Sequence, residues 1–126
     1  MTRGEGCFYY HLAWHTRQRC PSIDQVSQPI LLELLASEAA ALGGEILASR
    51  CASDGVSLLC ALPRDMPLAM MVHMLKGSSS HGLDLWRLPD FAWEDGYTAA
   101  RVRPEDLEEV KAAVLREDCT AARMPA

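Results

Sequence analysis

The sequence predicts an α+β domain, an antiparallel sheet covered on one face by helices, in the order β-α-β-β-α-β-α. Three observations carry this. Between Gln25 and Leu42 apolar residues recur at spacings of three and four, and Gly43-Gly44 closes the run, the pattern of an amphipathic helix with a glycine stop. Two short β-favouring runs flank Ser53-Asp54-Gly55, which reads as a hairpin and therefore as antiparallel pairing. A second and a third amphipathic run follow, the last introduced by Pro104. Local hairpins mixed with helical crossovers favour a layered antiparallel sheet over a parallel one.

The first strand is Phe8 to Thr16, rich in aromatic and β-favouring residues and ended by the polar stretch Arg17 to Pro21. In the helix that follows, Val26, Ile30, Leu31, Leu34, Leu35, Ala39 and Leu42 form the apolar stripe. Pro29 fits only a first turn, which makes Ser27 the expected N-cap. Strands are expected over Glu45 to Ala52 and Val56 to Leu62, with Gly55 supplying positive φ to the turn and Pro63 ending the pair. After Pro67, Leu68, Met71, Val72 and Leu75 share a helical face, and Gly77 with the serines behind it is the expected stop. Phe91 to Val102 reads as a loop leading into a fourth strand. The last helix has Pro104 at its start, Glu105 and Asp106 in its first turn, and Leu107, Val110, Val114 and Leu115 on one face.

A chain of 126 residues is read as one domain, residues 1–126, large enough to bury roughly two-thirds of its unfolded surface. No run reaches the ~18 apolar residues of a membrane span. Met1 to Glu5 opens without a signal-peptide core, so the expected location is cytoplasmic. Five cysteines without close pairs fit a reducing compartment; Cys51 and Cys60, on the two hairpin arms, are read as small buried hydrophobes before they are read as a bridge. The net charge of −5 argues against strong non-specific attraction to phosphate. Its distribution is uneven, with Arg3, Arg17 and Arg19 near the start and acids concentrated after Pro104, so a basic edge is compatible with it.

Four phrases, in this order around the hairpin, carry a resemblance. They are Tyr10-His11-Leu12-Ala13-Trp14-His15-Thr16, Leu62-Pro63-Arg64-Asp65-Met66-Pro67-Leu68, Leu75-Lys76-Gly77-Ser78-Ser79-Ser80 and Phe91-Ala92-Trp93-Glu94-Asp95-Gly96-Tyr97. From about residue 10 to residue 118 the chain resembles the TnpA-type single-strand tyrosine transposases of the HUH class, the insertion-sequence and REP-associated transposases, as a degenerate member. The resemblance implies a ferredoxin-like domain, usually a homodimer, that cuts and rejoins single-stranded DNA at hairpin-marked ends. In that family two histidines one residue apart on a strand face the same side and hold magnesium or manganese, which polarises the scissile phosphate. A tyrosine attacks, and a glutamine one helical turn later completes the metal shell.

Residue by residue, the catalytic pattern is missing. The histidine positions are Gly55 and Ser57, the tyrosine position is Ala113, and the glutamine position is Glu117. The resemblance thus implies no catalytic residue and no metal cofactor, because the ligands are replaced. His11 and His15 share a face of the first strand and His73 and His81 flank the end of the second helix, a relocated metal site in principle, although their spacings match no familiar ligand pattern. Tyr97 is the nearest substitute nucleophile, with packing the simpler reading. Met66, Met70, Met71 and Met74 suit a core or a subunit contact.

Arg17, Arg19, Arg64, Lys76 and Ser78 are the candidate DNA-binding residues, Lys76 to Ser80 having the lysine, glycine and small hydroxyls that approach a phosphate backbone. The expected function is that of a catalytically inactive transposase-like domain that retains at most weak single-stranded or hairpin DNA binding. The alternative is a dimeric protein-interaction or regulatory module without nucleic-acid binding, which the net acidity favours.

Overall fold

A computed structural model of the chain describes residues 6–86 and 91–116. Its strands are β1 (Cys7–His15), β2 (Glu45–Ala52), β3 (Gly55–Pro63) and β4 (Thr98–Val102); its helices are α1 (Ser27–Ala41), α2 (Leu68–Trp86) and α3 (Leu107–Arg116). The sheet order is β2-β3-β1-β4 with every neighbouring pair antiparallel. β1 and β2 are therefore parallel across α1, and β3 and β4 parallel across α2, the two interlocked split βαβ units of a ferredoxin-like fold. The α+β expectation holds.

Side chains alternate across the sheet, and the alternation sorts the helices. Leu12 and Trp14 of β1 and Val56, Leu58, Cys60 and Leu62 of β3 form a core with Leu31 and Leu35 of α1 and Met71, Val72 and Leu75 of α2. The other face gathers Tyr9, Leu59, Ala61, Val102 and Ala48 with Val114, Leu107 and Val110 of α3. The expectation that helices cover one face is correct for α1 and α2 and is corrected for α3, which covers part of the second face. The cause is β3, apolar on both sides and buried from Gly55 to Leu62, so that one layer of helices cannot shield it.

At the start of α1 the expected cap is corrected. The Ser27 amide donates to Asp24 Oδ1 at 2.7 Å, so Asp24 supplies the capping oxygen, while Ser27 is the first helical residue and fully buried. Val26 lies outside the helix and is exposed rather than on the stripe. The far end is as expected: Gly43, at φ +88°, lets its amide reach Ala40 O and that of Gly44 reach Ala39 O, the paired bonds of a Schellman motif.

The largest correction concerns α2. Gly77 does not stop it; the helix runs on to Trp86. The Ser79 hydroxyl donates back to Leu75 O at 2.8 Å and accepts the Trp93 indole N–H at 3.0 Å, and Ser79 and Leu83 are fully buried. Gly82 packs where a Cβ would come within 2.7 Å of Leu34 on α1. Tertiary contact here overrides a glycine-serine composition that locally favours a loop. Met71 is buried as expected, whereas Met70 and Met74 are exposed. On the hairpin, Cys51 pairs in register with Val56 and Cys60 with Ile46, so the two arms do not bring these thiols opposite one another. Burial pushes the Cys60 thiol up to about 12, which leaves it an inert core residue.

Candidate functional site

The sheet face that carries α3 also carries Gly55 and Ser57, the positions that the resemblance aligns with the family's histidine pair. β1 and β3 pair with His15 opposite Gly55 and Ala13 opposite Ser57, and residues two apart on a strand share a side. Gly55 and Ser57 therefore point where a histidine pair would point, toward the face on which α3 lies.

Two local rearrangements occupy that place. The Ser57 hydroxyl is 2.9 Å from His11 Nε2, both side chains buried. At Gly55 a Cβ would lie 2.7 Å from His15 Cδ2 and 2.9 Å from the Trp14 carbonyl oxygen, so the His15 ring takes up the volume that any side chain at 55 needs. The expected positive φ at Gly55 is corrected: positive φ among described glycines is confined to Gly43 and Gly96, and Gly55 is the first paired residue of β3. Its glycine identity answers a close approach from the neighbouring strand, not a turn.

His15 is itself held in place. Its Nδ1 is 3.3 Å from Glu94 Oε2, its backbone N–H donates to the same carboxylate oxygen at 3.1 Å, and its carbonyl accepts the Glu94 amide at 2.9 Å. Thus both imidazoles of β1 lie on the relevant face, His11 Nε2 meeting Ser57 and His15 Nδ1 meeting Glu94, while His15 Nε2 is buried without a hydrogen-bond partner. Among the described residues no group of three or more His, Cys, Asp and Glu side chains is arranged to hold a metal ion. Gly55 and Ser57 offer no imidazole, so the residues at these positions do not fit the divalent cation that the resemblance implies. Ala113 is half-buried on α3 beside Val114 and presents only a methyl group. Glu117 lies outside the described residues.

Burial lowers the pKa of His11 from its ordinary value of 6.5. As pH falls below 6.5 the unfolded chain binds a proton that the buried ring resists. The stability from a neutral His11 is therefore complete above 6.5 and is lost as pH falls toward the lowered value. We expect the melting temperature to drop between pH 7 and pH 5, and His11→Gln, which keeps a hydrogen-bonding side chain beside Ser57, to flatten that drop. Equal slopes in thermal melts of the two proteins would refute it.

Of the candidate DNA-binding residues, Arg17 and Lys76 share one groove, and Arg19, Arg64 and Ser78 do not line it. Arg17 lines an open groove of about 470 Å³ with His73, Lys76, Trp93, Glu94 and Tyr97. Lys76 is chiefly a clamp: its ammonium donates to Glu94 O at 2.8 Å and Gly96 O at 2.7 Å, and desolvation lowers its pKa against the opposing pull of Glu94 and Asp95. Arg19 pairs with Asp54 Oδ2 at 3.3 Å at the hairpin tip. Ser78 is half-buried on α2. Arg64 follows the opposite end of β3, where it and Arg101 stand over the Phe8 ring. Sequence reasoning missed Phe8 and Arg101, because only the β1–β4 register, which sets Tyr10 opposite Arg101, brings them together.

The sequence profile of a family described as "Transposase IS200 like" matches residues 7–114. The fold is similar to a crystal structure of a candidate transposase from Deinococcus radiodurans R1, with a TM-score of 0.73 and 22% identity over 87% of this chain and 92% of the other. It is also similar to a REP-associated tyrosine transposase bound to a REP hairpin, with a TM-score of 0.68 and 14% identity over 86% of this chain and 65% of that one. No curated protein matches the chain.

Proposed function

From the premise that this chain belongs to the IS200-like transposase family, we propose that it is a member that no longer cuts DNA and still grips structured single strands. The observation that carries the loss of cutting is the His15 ring lying over Gly55 beside the Ser57–His11 hydrogen bond. A site that had merely lost its ligands would leave room for them. Here the neighbouring strand has filled the room, and the second ligand position is tied into a buried polar pair. With a methyl group at Ala113, the described residues at these positions provide neither a metal ligand nor a phenolic nucleophile.

Retention of binding is supported by what cutting and gripping separately require. Gripping needs cations and a fold of the right shape, and neither depends on the lost groups. A structural neighbour of the same fold is bound to a REP hairpin. A homodimer is part of the proposal, with Met70 and Met74 on α2 as apolar surface available to a second copy.

The second reading, a protein-interaction module without nucleic-acid binding, is favoured by the net charge of −5. One experiment addresses both. Incubated with hairpin-bearing single-stranded DNA and magnesium or manganese, the protein is expected to form no covalent adduct, and a phosphotyrosine-linked product would overturn the loss of cutting. In a mobility shift on the same DNA we expect saturable binding that weakens steeply with salt; its absence at low salt would favour the interaction module.

A further inference from the structure

At the β4 edge of the sheet, on the same side as α1 and α2, two guanidinium groups converge on one aromatic ring. Arg101 Cζ lies 3.5 Å and Arg64 Cζ 4.5 Å from the Phe8 centroid, and Tyr10 meets Phe8 edge-on at 6.5 Å. Phe8 is half-buried and both arginines are exposed. They line a pocket of about 180 Å³ together with Arg103, Cys7 and Pro104. Arg103 is neutralised by Glu105 at 3.7 Å and Asp106 at 3.0 Å. Among the described residues Arg64 and Arg101 have no such acid, although the chain has acids in excess. A ring face attracts a cation only weakly at an exposed site, a small return for holding two like charges together.

We propose that this pocket binds phosphate groups, and that their source is the backbone of single-stranded DNA, with one phosphodiester between Arg64 and Arg101 and a neighbouring base against Tyr10 and the rim of Phe8. Guanidinium forks match phosphate oxygens, and an aromatic face beside a cationic groove is the sequence-tolerant way to hold a single strand. The DNA assignment rests on the proposed retention of hairpin binding; the phosphate site rests on the pocket.

The test uses the full chain, its Arg64→Gln/Arg101→Gln double variant, and Arg116→Gln as a control on the exposed end of α3. Hairpin DNA is titrated at several salt concentrations, and inorganic pyrophosphate is titrated while NMR signals of Phe8, Arg64 and Arg101 are followed. We expect the double variant to bind hairpin about tenfold more weakly. Its log–log salt slope should be shallower by ~0.7 for each phosphate that the variant no longer neutralises. The control should be unchanged, and pyrophosphate should move the pocket signals in the parent alone. Hairpin binding equal in parent and double variant overturns the site and leaves the proposed function standing. Pyrophosphate binding without hairpin binding upholds the phosphate pocket and overturns the DNA assignment. Binding of neither overturns both.

Discussion

Gly55→His is expected to destabilise the fold by about 3 kcal/mol, the upper part of the range for overpacking a tight site, and to lower the melting temperature by about 10 °C. A Cβ at this position meets His15 Cδ2 at 2.7 Å and the Trp14 carbonyl oxygen at 2.9 Å. The first contact is with a ring that Glu94 holds from its side chain and backbone, and the second is with the backbone of the central strand, which can retreat only by disturbing the register of β1 with β3. Urea denaturation of the single variants and of Gly55→His/His15→Ala measures the coupling. Removing the His15 ring should recover about half of the loss, leaving the carbonyl contact in place. A cost below about 0.5 kcal/mol in the parent background, or no recovery in the double variant, would show that the site still has room for a ligand. Placing an imidazole at position 55 is therefore a packing problem before it is a chemical one.

Under the proposed loss of cutting, that result bears on how the face carrying Gly55 and Ser57 is packed. A histidine lost to drift leaves a void or a solvated gap. At Gly55 the volume is filled from β1, and at Ser57 the hydroxyl has a buried imidazole as partner, which satisfies two polar groups that would otherwise each cost about 1–3 kcal/mol. The two β1 histidines, which in sequence resemble spare ligands, instead pack against Gly55 and Ser57.

The elements were legible where local chemistry and tertiary packing agree. The apolar spacing of α1 and its glycine stop, the β2–β3 hairpin, and Pro104 ahead of α3 could be read directly, because each is set by residues close in sequence. The continuation of α2 past Gly77 could not, since Ser79 is held helical by Trp93 from a later loop and Gly82 by Leu34 from an earlier helix. The placement of α3 on the second face depends on β3 being apolar on both sides, a signal present in Val56 to Leu62 but shared with any buried strand. At the site, the alignment of Gly55, Ser57 and Ala113 with the family's histidine and tyrosine positions rests on resemblance alone. The reason for glycine at 55 was not legible, because Asp-Gly beside a hairpin reads as turn chemistry and the contact that requires glycine comes from a strand forty residues earlier. The Phe8–Arg64–Arg101 group is likewise assembled from three strand ends by register alone.

Trp93→Ala is expected to cost about 3–5 kcal/mol, the range for truncating a buried large aromatic, and to loosen the segment that orders His15. Trp93 meets Trp14 and Phe91 edge-to-face at 5.8 and 4.8 Å, and its indole N–H donates to Ser79 on α2. It also bridges to Thr16, so that the chain on either side pairs through Arg17 N to Ala92 O and Glu94 N to His15 O. One side chain thereby joins α2, the end of β1 and the loop into β4. Trp93→Phe keeps ring packing and loses the indole hydrogen bond, so it should cost about 1–2 kcal/mol, far less than alanine. Urea midpoints separate these costs, and amide hydrogen exchange at His15 to Arg17 and Ala92 to Glu94 should quicken in the alanine variant before global unfolding does. Equal costs for phenylalanine and alanine would mean that the hydrogen bond to Ser79, not the aromatic packing, holds the segment. Unchanged exchange would mean that Lys76, through its bonds to Glu94 O and Gly96 O, suffices to hold Glu94 against His15 and so keep the space above Gly55 filled.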